Sequence, residues 1–382
     1  MKRTIQYVAI MVIAASSFTA CEKDDTDFSQ YTSNISSNTD SDTGSSDIST
    51  IYIAYSGSSV NVTGDDRGYV TTNGADVTVN TSVDTDSLLL ILSGSTSDGS
   101  LLICREKKFG IKLNGVSITN LDGPAINNQC GKSLYLEVAG GTTNTLSDGT
   151  AYAEQTYQQK GALFSEGQIY LTGTGTLNVT GNCKHAIACD DYIVITENVT
   201  LNANSSTGNG IKVNDGLWIN DGTLDIKVTA DAARGIKCDS VVVITGGTTT
   251  ISTSGNCVYD SDEADYSSAA CIKCDYDFSM SGGTLTMTSS GDGGKGINCD
   301  TQVLFSGGTL KAVTTGSNED AKPKAVKGDT GIIISGGSFT ATVNKSWACD
   351  NGSDSDTAAD HVTIKGTPTS QSITKKSVII KY

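Results

Sequence analysis

Two columns of charged residues hold the clearest chemistry in this 382-residue sequence. Lys212, Lys237, Lys273 and Lys327 sit in the related strings GIKVND, GIKCDS, CIKCDY and AVKGDT. Two residues after each lysine comes Asn214, Asp239, Asp275 or Asp329, and Glu166, Asp190, Asp300 and Asp350 hold the same place in sister strings. Ammonium groups beside a carboxylate row can neutralise that row as a solvated ion network, in which each exposed pair contributes little. Carboxylates repeated at a fixed pitch can instead supply hard oxygen ligands for calcium, which takes six to eight. The densest acidic stretch is Asp260, Asp262, Glu263 and Asp265, followed by Asp275 and Asp277; Asp190 and Asp191 make a second, smaller candidate. An acidic loop that is merely solvated explains the same residues, and both readings stay open.

Other chemistries have less to work with. Only two histidines occur, His185 and His361, so histidine-rich zinc sites and Ser-His-Asp triads find few partners. A net charge of −16 argues against nucleic acid as a partner.

The elements that must position these residues follow from a repeat, the first feature to seek in a chain of this kind. The strings ALFSEGQIYLTG from Ala162, AIACDDYIVITE from Ala186, GIKVNDGLWIND from Gly210, GIKCDSVVVITG from Gly235, CIKCDYDFSMSG from Cys271, GINCDTQVLFSG from Gly296 and AVKGDTGIIISG from Ala325 align, with an end piece SWACDNG from Ser346. Their second residues fall at 163, 187, 211, 236, 272, 297, 326 and 347, so most steps are 24 or 25 residues. Each unit holds three short alternating runs parted by Gly-rich turns, which is the strand signal. Three strands per constant period fit one turn of a three-faced solenoid better than a propeller, whose blades need ~40 residues or more. The sequence therefore predicts an all-β, right-handed, single-stranded parallel β-helix, a pectate-lyase-like solenoid of about nine or ten coils spaced ~4.8 Å apart. A weaker copy, PAINNQ from Pro124, precedes the series, and earlier still Leu89-Ile91 and Leu113-Val116-Ile118 look like entry coils. Insertions at 146–160 and 257–268 enlarge two coils.

Stacking turns repeat positions into ladders. An inward ladder reads Ser165, Cys189, Val213, Cys238, Cys274, Cys299, Gly328 and Cys349. Small apolar side chains suit that site, so the cysteines are expected as free buried thiols rather than as disulfides. On the outward position of the second strand, Tyr170 and Trp218 lie two coils apart, ~10 Å at the strand spacing. They form either a patch for a ligand or a surface covered by a loop.

The ends set the expected compartment. Lys2 and Arg3 precede the apolar run Ile5 to Ala15, and Phe18-Thr19-Ala20-Cys21 reads as a lipobox. Residues 1–21 are expected as a lipoprotein signal that leaves Cys21 lipidated, and 22–50 as a disordered Ser/Thr/Asp-rich tether. Residues 51–382 would form the β-helix domain. The acidic Glu22-Lys23-Asp24-Asp25 resembles the export signal of Gram-negative surface lipoproteins and suggests an outer-membrane protein facing the exterior.

From Ile51 to the C-terminus, the run LLLILSGSTSDG…IKLNGVSITNLDGPAI with its GIKCD…ITGGT repeats resembles a bacterial carbohydrate-binding β-helix family, described for a cellulose- and polygalacturonate-binding protein. The resemblance implies a three-faced helix, bound calcium, affinity for acidic polysaccharide and structural kinship with family 9 polysaccharide lyases. It does not imply cleavage. On that basis Lys212, Lys237, Lys273 and Lys327 would meet sugar carboxylates, and Tyr170 and Trp218 would stack on sugar rings. The expected protein is a monomeric surface lipoprotein that holds a galacturonan-like polysaccharide with the help of calcium. It would touch the membrane through its lipid alone. Two alternatives stand beside it: a calcium-dependent lyase using Lys237 or Lys273 as base, and a purely adhesive or scaffold solenoid.

Overall fold

The computed structural model describes residues 48–81, 87–318 and 320–382, which lie in one compact unit, Ser46–Tyr382. The signal segment, Cys21 and most of the tether fall outside the described residues. Within the unit, alternation of apolar and polar residues over three to six positions produces short strands whose inward side chains share one continuous core. Strands of this length are not stable alone; each is completed by the coil before and the coil after.

Three faces result. The first is a separate sheet in which eleven parallel strands stack, from Asp76–Asn80 through Arg234–Cys238 to Cys349–Asp350. The second and third faces join into one large sheet through the long strands Leu88–Thr96 and Phe109–Asn120, each of which turns the corner between them. In the coil containing Lys237 the three strands are Arg234–Cys238, Val242–Ile244 and Thr248–Thr253. Eleven strands at ~4.8 Å make a rod of about 50 Å.

The corner between the second and third faces uses a Gly-Gly turn. Gly247 has φ +70, and a Cβ there would lie 2.6 Å from the carbonyl oxygen of Gly222 in the coil below. Stacking at this pitch therefore excludes a side chain. Both ends of the rod are capped by antiparallel pairing. Ser59–Thr63 folds back on Ser49–Ser56 at one end, and Ser377–Lys381 covers Ser338–Val343 at the other. These hairpins hide strand edges that would otherwise recruit another chain.

The solenoid has about eleven turns rather than nine or ten. The leading first-face strands Asp76–Asn80 and Ser100–Cys104 lack the Ile-Lys-x-Asp signature, so the repeat did not reveal them. The last coil also differs. Val326 pairs with Cys349 and Lys327 with Asp350, two residues away from the expected alignment of Trp347 and Ala348. A two-residue slip keeps Cys349 inward, because the side-chain period is two, but it moves Asp350 out of the acidic column into the lysine row.

Ten cysteines are free among the described residues; seven are buried, and Cys238, Cys274 and Cys299 stack in consecutive coils. Burial pushes the Cys189 thiol up to about 12 and Cys238 up to about 11, so these behave as small apolar groups and not as nucleophiles.

Candidate functional site

The outward row at the centre of the first face reads Thr78, Leu102, Asn127, Phe164, Ala188, Lys212, Lys237, Lys273, Asn298, Lys327 and Asp350, in unbroken register. Its N-terminal half is uncharged and its C-terminal half is ionic. Both predicted insertions leave the chain between a third-face strand and the next first-face strand, so they rise along the same edge of this row.

The ionic half is internally neutralised. Lys237 Nζ lies 2.8 Å from Asp239 Oδ1 and 2.7 Å from Asp275 Oδ1; Lys273 lies 3.1 Å from Asp275 and 2.5 Å from Asp300. Lys212 reaches Asp239, and Lys327 sits 2.7 Å from Asp329. Burial alone would lower the Lys237 pKa. Its hydrogen bonds to Asp239 and Asp275 outweigh that and hold it above the ordinary lysine value. Burial likewise opposes the charge on Asp239 and Asp275, and the lysines on either side still pull both below the usual carboxylate range. The lysine side chains are only 13–29% exposed, against 35–45% for their partner aspartates. The surface a ligand meets is thus acidic at its tips, with the ammonium groups beneath. The lysines are not free to receive a sugar carboxylate without giving up a protein one.

The acidic stretch forms the tip of a hairpin, Val258–Asp260 paired with Asp265–Ser267. Asp260 accepts from the backbone N–H of Asp262 at 2.9 Å, which shapes the turn, and Asp262, Glu263 and Asp265 point to solvent. Asp275 belongs to the lysine lattice, and Asp277 accepts from Thr301 Oγ1 at 2.5 Å and from the Gln302 N–H at 3.2 Å. At the second candidate, Lys160 holds Asp190 at 2.5 Å, while Gln168 Nε2 and the Tyr192 N–H donate to Asp191. The structure brings neither group together. Among the described residues no three His, Cys, Asp or Glu side chains converge as metal ligands.

Tyr170 and Trp218 do share one face, but not as two isolated platforms. Tyr135 stacks on Tyr170 at 5.2 Å, Tyr170 meets Tyr192 edge-on at 5.8 Å, and Tyr192 meets Trp218 edge-on at 5.8 Å. The indole lies over Gly216, where a Cβ would come within 2.5 Å of its ring. The four rings form a ladder along the second face whose ring contacts run between coils, an arrangement that stabilises stacking by ~0.5–1.5 kcal/mol per pair. Tyr135 and Tyr192 carry the ladder and were not singled out in the sequence. Tyr135 holds the same outward position as Tyr170 and Trp218, but in the coil begun at Pro124, where the spacing from the first strand is two residues longer. Tyr192 lies two residues earlier in its strand, opposite Gly216.

Sequence reasoning also missed a groove of about 330 Å³ over the uncharged half of the first-face row. Its floor is Thr78, Leu102, Asn127 and Ser100; its wall is the insertion, with Gln155, Tyr157 and Gln159. Asp148, buried at the end of a third-face strand, anchors this wall. It accepts from Tyr152 Oη at 2.7 Å and from the Cys183 N–H at 3.3 Å. Asn127 Nδ2 donates to the Gln158 carbonyl at 3.1 Å, and Lys184 Nζ donates to the Gln159 carbonyl at 2.6 Å. Inside the groove, Gln159 Oε1 is buried without a hydrogen-bond partner, and Tyr157 is 44% exposed. A buried acceptor lacking a donor, flanked by amides and an exposed aromatic, suits a ligand rich in hydroxyl groups.

A family model described as carbohydrate-binding domain-containing protein matches residues 73–240 and 226–320, a span that holds the groove, the aromatic ladder and most of the lysine lattice. The chain belongs to this carbohydrate-binding domain family. A curated relative from Acetivibrio thermocellus, also described as a carbohydrate-binding domain-containing protein, is 31% identical over 117 residues. That alignment takes in 29% of this chain and 41% of the relative, so the chain spans well under half of its length. A solved structure of a polysaccharide lyase-like protein from C. thermocellum, as a gadolinium derivative, aligns over 68% of this chain and all of its own with a TM-score of 0.55. At 24% identity it shares the fold.

One more lysine stands out beside the lattice. Lys295 is 8% exposed beneath the hairpin and donates to Ser268 Oγ. Burial, reinforced by Lys327 and Lys324 and opposed by Asp265, pushes its pKa down to about 8. It opens the first-face strand Lys295–Cys299, two residues ahead of the repeat's inward isoleucine and just before the aligned string begins at Gly296, which is why alignment of the repeats passed over it.

Proposed function

We propose that this protein binds polysaccharide along its first face without cleaving it, from a cell surface to which a lipid on Cys21 anchors it. The observation that carries the reading is the amide-lined groove, with Gln159 Oε1 awaiting a donor beside exposed Tyr157. Family membership makes carbohydrate the ligand class, and a row about 50 Å long accommodates an extended chain. The lipobox residues support the anchor, and the signal before Asp25 supports an outward-facing position in the outer membrane.

A uronate-bearing, galacturonan-like glycan is supported by the family resemblance of the sequence and not by the cations of the C-terminal half of the row, which protein carboxylates already hold. The groove itself favours neutral sugars, which makes a neutral glycan the second reading. No step runs through calcium, because the carboxylates that would hold it stand apart as placed. Titration with and without a chelator measures whether a ligand gathers them. Cleavage is disfavoured by the lattice: Lys237, held between two carboxylates, stays protonated and is a poor base. Lys295, the one described lysine pushed down to about 8, is the base a lyase would need, yet it is covered by the hairpin.

Titration of the mature domain with oligogalacturonides and cello-oligosaccharides tests the reading. The expected result is saturable binding that Tyr157→Ala and Gln159→Leu weaken, with no unsaturated product in the wild-type digest. Product formation abolished by Lys295→Met would move the protein to the lyase class. Absence of binding to every glycan would favour an adhesive or scaffold role.

A further inference from the structure

At the C-terminal end of the first face lies a cavity of about 550 Å³, in the part of the chain beyond the family match. Lys322, Lys324, Trp347, Asp350, Ser355 and His361 are among its lining residues. Lys324 is 4% exposed and its Nζ lies 2.6 Å from Asp350 Oδ2. His361 is 2% exposed. Its Nε2 lies 2.9 Å from the Ser355 carbonyl oxygen, which can only accept, so Nε2 carries the proton of the neutral ring and Nδ1 presents a lone pair. That Nδ1 is buried without a partner, and Asp350 Oδ1, at 3.9 Å, is too far for a hydrogen bond and is an acceptor as well. The ring is held in place by Trp347, stacked on it at 4.3 Å, and Lys375 lies over the same indole at 4.6 Å.

A buried acceptor calls for a donor. The lining is balanced in charge, with Lys322, Lys324 and Lys345 beside Asp350, Asp354 and Asp356, so the case for an anion rests on Lys324. Burial lowers the Lys324 pKa, and Lys322 and Lys327 lower it further, so that the Asp350 contact does not fully compensate. We infer that this cavity is a second saccharide site, which takes a single uronic-acid unit with its carboxylate toward Lys322 and Lys324 and one hydroxyl donating to His361 Nδ1. The inference rests on the polysaccharide reading for the class of sugar, and on none of the residues of the amide groove.

The two tryptophans of the chain separate the sites, since Trp218 belongs to the aromatic ladder and Trp347 to the cavity. In a Trp218→Phe background, titration with D-galacturonate is expected to change Trp347 emission saturably, and D-galactose to bind about tenfold more weakly. By calorimetry, His361→Phe, which keeps a ring against Trp347, should weaken galacturonate about fivefold or more, as loss of one buried hydrogen bond implies. Lys322→Met, at an exposed position, should do the same with an unchanged melting temperature. No response of Trp347, equal affinity for both sugars, or unaltered affinity in both variants would overturn the site and leave the acceptor to ordered water. Tyr157→Ala keeps the galacturonate response at Trp347 if the cavity is real. Loss of polymer binding in that variant reports on the groove alone.

Discussion

The two halves of the first-face row obey the same inward rule and opposite outward ones. From Thr78 to Ala188 the outward residues are uncharged, and an anchored insertion builds a wall over them. From Lys212 to Lys327 the outward residues, Asn298 apart, are cations, caught by carboxylates of the column two residues on. The first half leaves a buried acceptor unsatisfied; the second satisfies its charges within itself. A repeated surface feature is therefore the weaker guide to binding, because what repeats can pair with its own copies. The break in the repeat makes the concavity.

The largest test of this contrast exchanges the insertions. Replacing residues 150–158 by a short Gly-Ser turn is expected to weaken polysaccharide binding tenfold or more, since the groove loses the buried surroundings that strengthen its hydrogen bonds. Excision of 258–267 should change binding less than about twofold by the same logic. Equal losses would break the comparison.

Next in size is the scaffold both halves share. Gly247→Val places a β-branched residue at φ +70 against the carbonyl oxygen of Gly222, which should cost about 2–4 kcal/mol in denaturant unfolding. Because the core is continuous, that loss should appear in a single transition.

The ionic half makes a smaller contribution. Lys237→Met leaves Asp239 and Asp275 each with one lysine contact in place of two. Those carboxylates are more than a third exposed, so a loss of about 0.5–1 kcal/mol that shrinks in high salt is expected. A salt-independent loss would mean packing and not charge.

Acid provides the last contrast. His185, at the edge of the row, accepts from the Asn209 N–H at 3.0 Å. Burial, helped by Lys212, Lys184 and Lys160, pushes its pKa down to about 4. A group whose folded value lies below its unfolded one gives stability that is present above the unfolded pKa, ~6.5, and is lost as pH falls toward the folded value. Melting temperature should therefore fall between pH ~6.5 and ~4, and His185→Gln should flatten that part of the profile.

The fold and its ladders were legible because a solenoid repeats its inward pattern at nearly constant spacing, which fixes the face and register of Lys212, Lys237 and Lys273 at once. The two leading coils were legible only in part: Leu89, Ile91, Leu113, Val116 and Ile118 read as entry coils, whereas the first-face strands of those coils carry the alternation without the signature. Asp350 was misplaced by two residues because alternation cannot distinguish registers of the same parity. The insertion at 146–160 was visible as a break, whereas its shape depends on Asn127 and Asp148 of the coil begun at Pro124 and on Lys184 of the next coil. Nothing in the local sequence reports those contacts. The lysines were read correctly as a row and incompletely as chemistry, because the paired state of each depends on rotamers chosen between adjacent coils.

The central claim is that glycan lies on the first face. Hydroxyl-radical footprinting of the mature domain, with and without a saturating oligogalacturonide or cello-oligosaccharide, measures it side chain by side chain. The account predicts protection at Tyr157 and at its neighbours in the groove, with Tyr170 and Trp218 unchanged. Protection confined to Tyr170, Tyr192 and Trp218, with Tyr157 as reactive as before, would contradict it and move the binding surface to the second face.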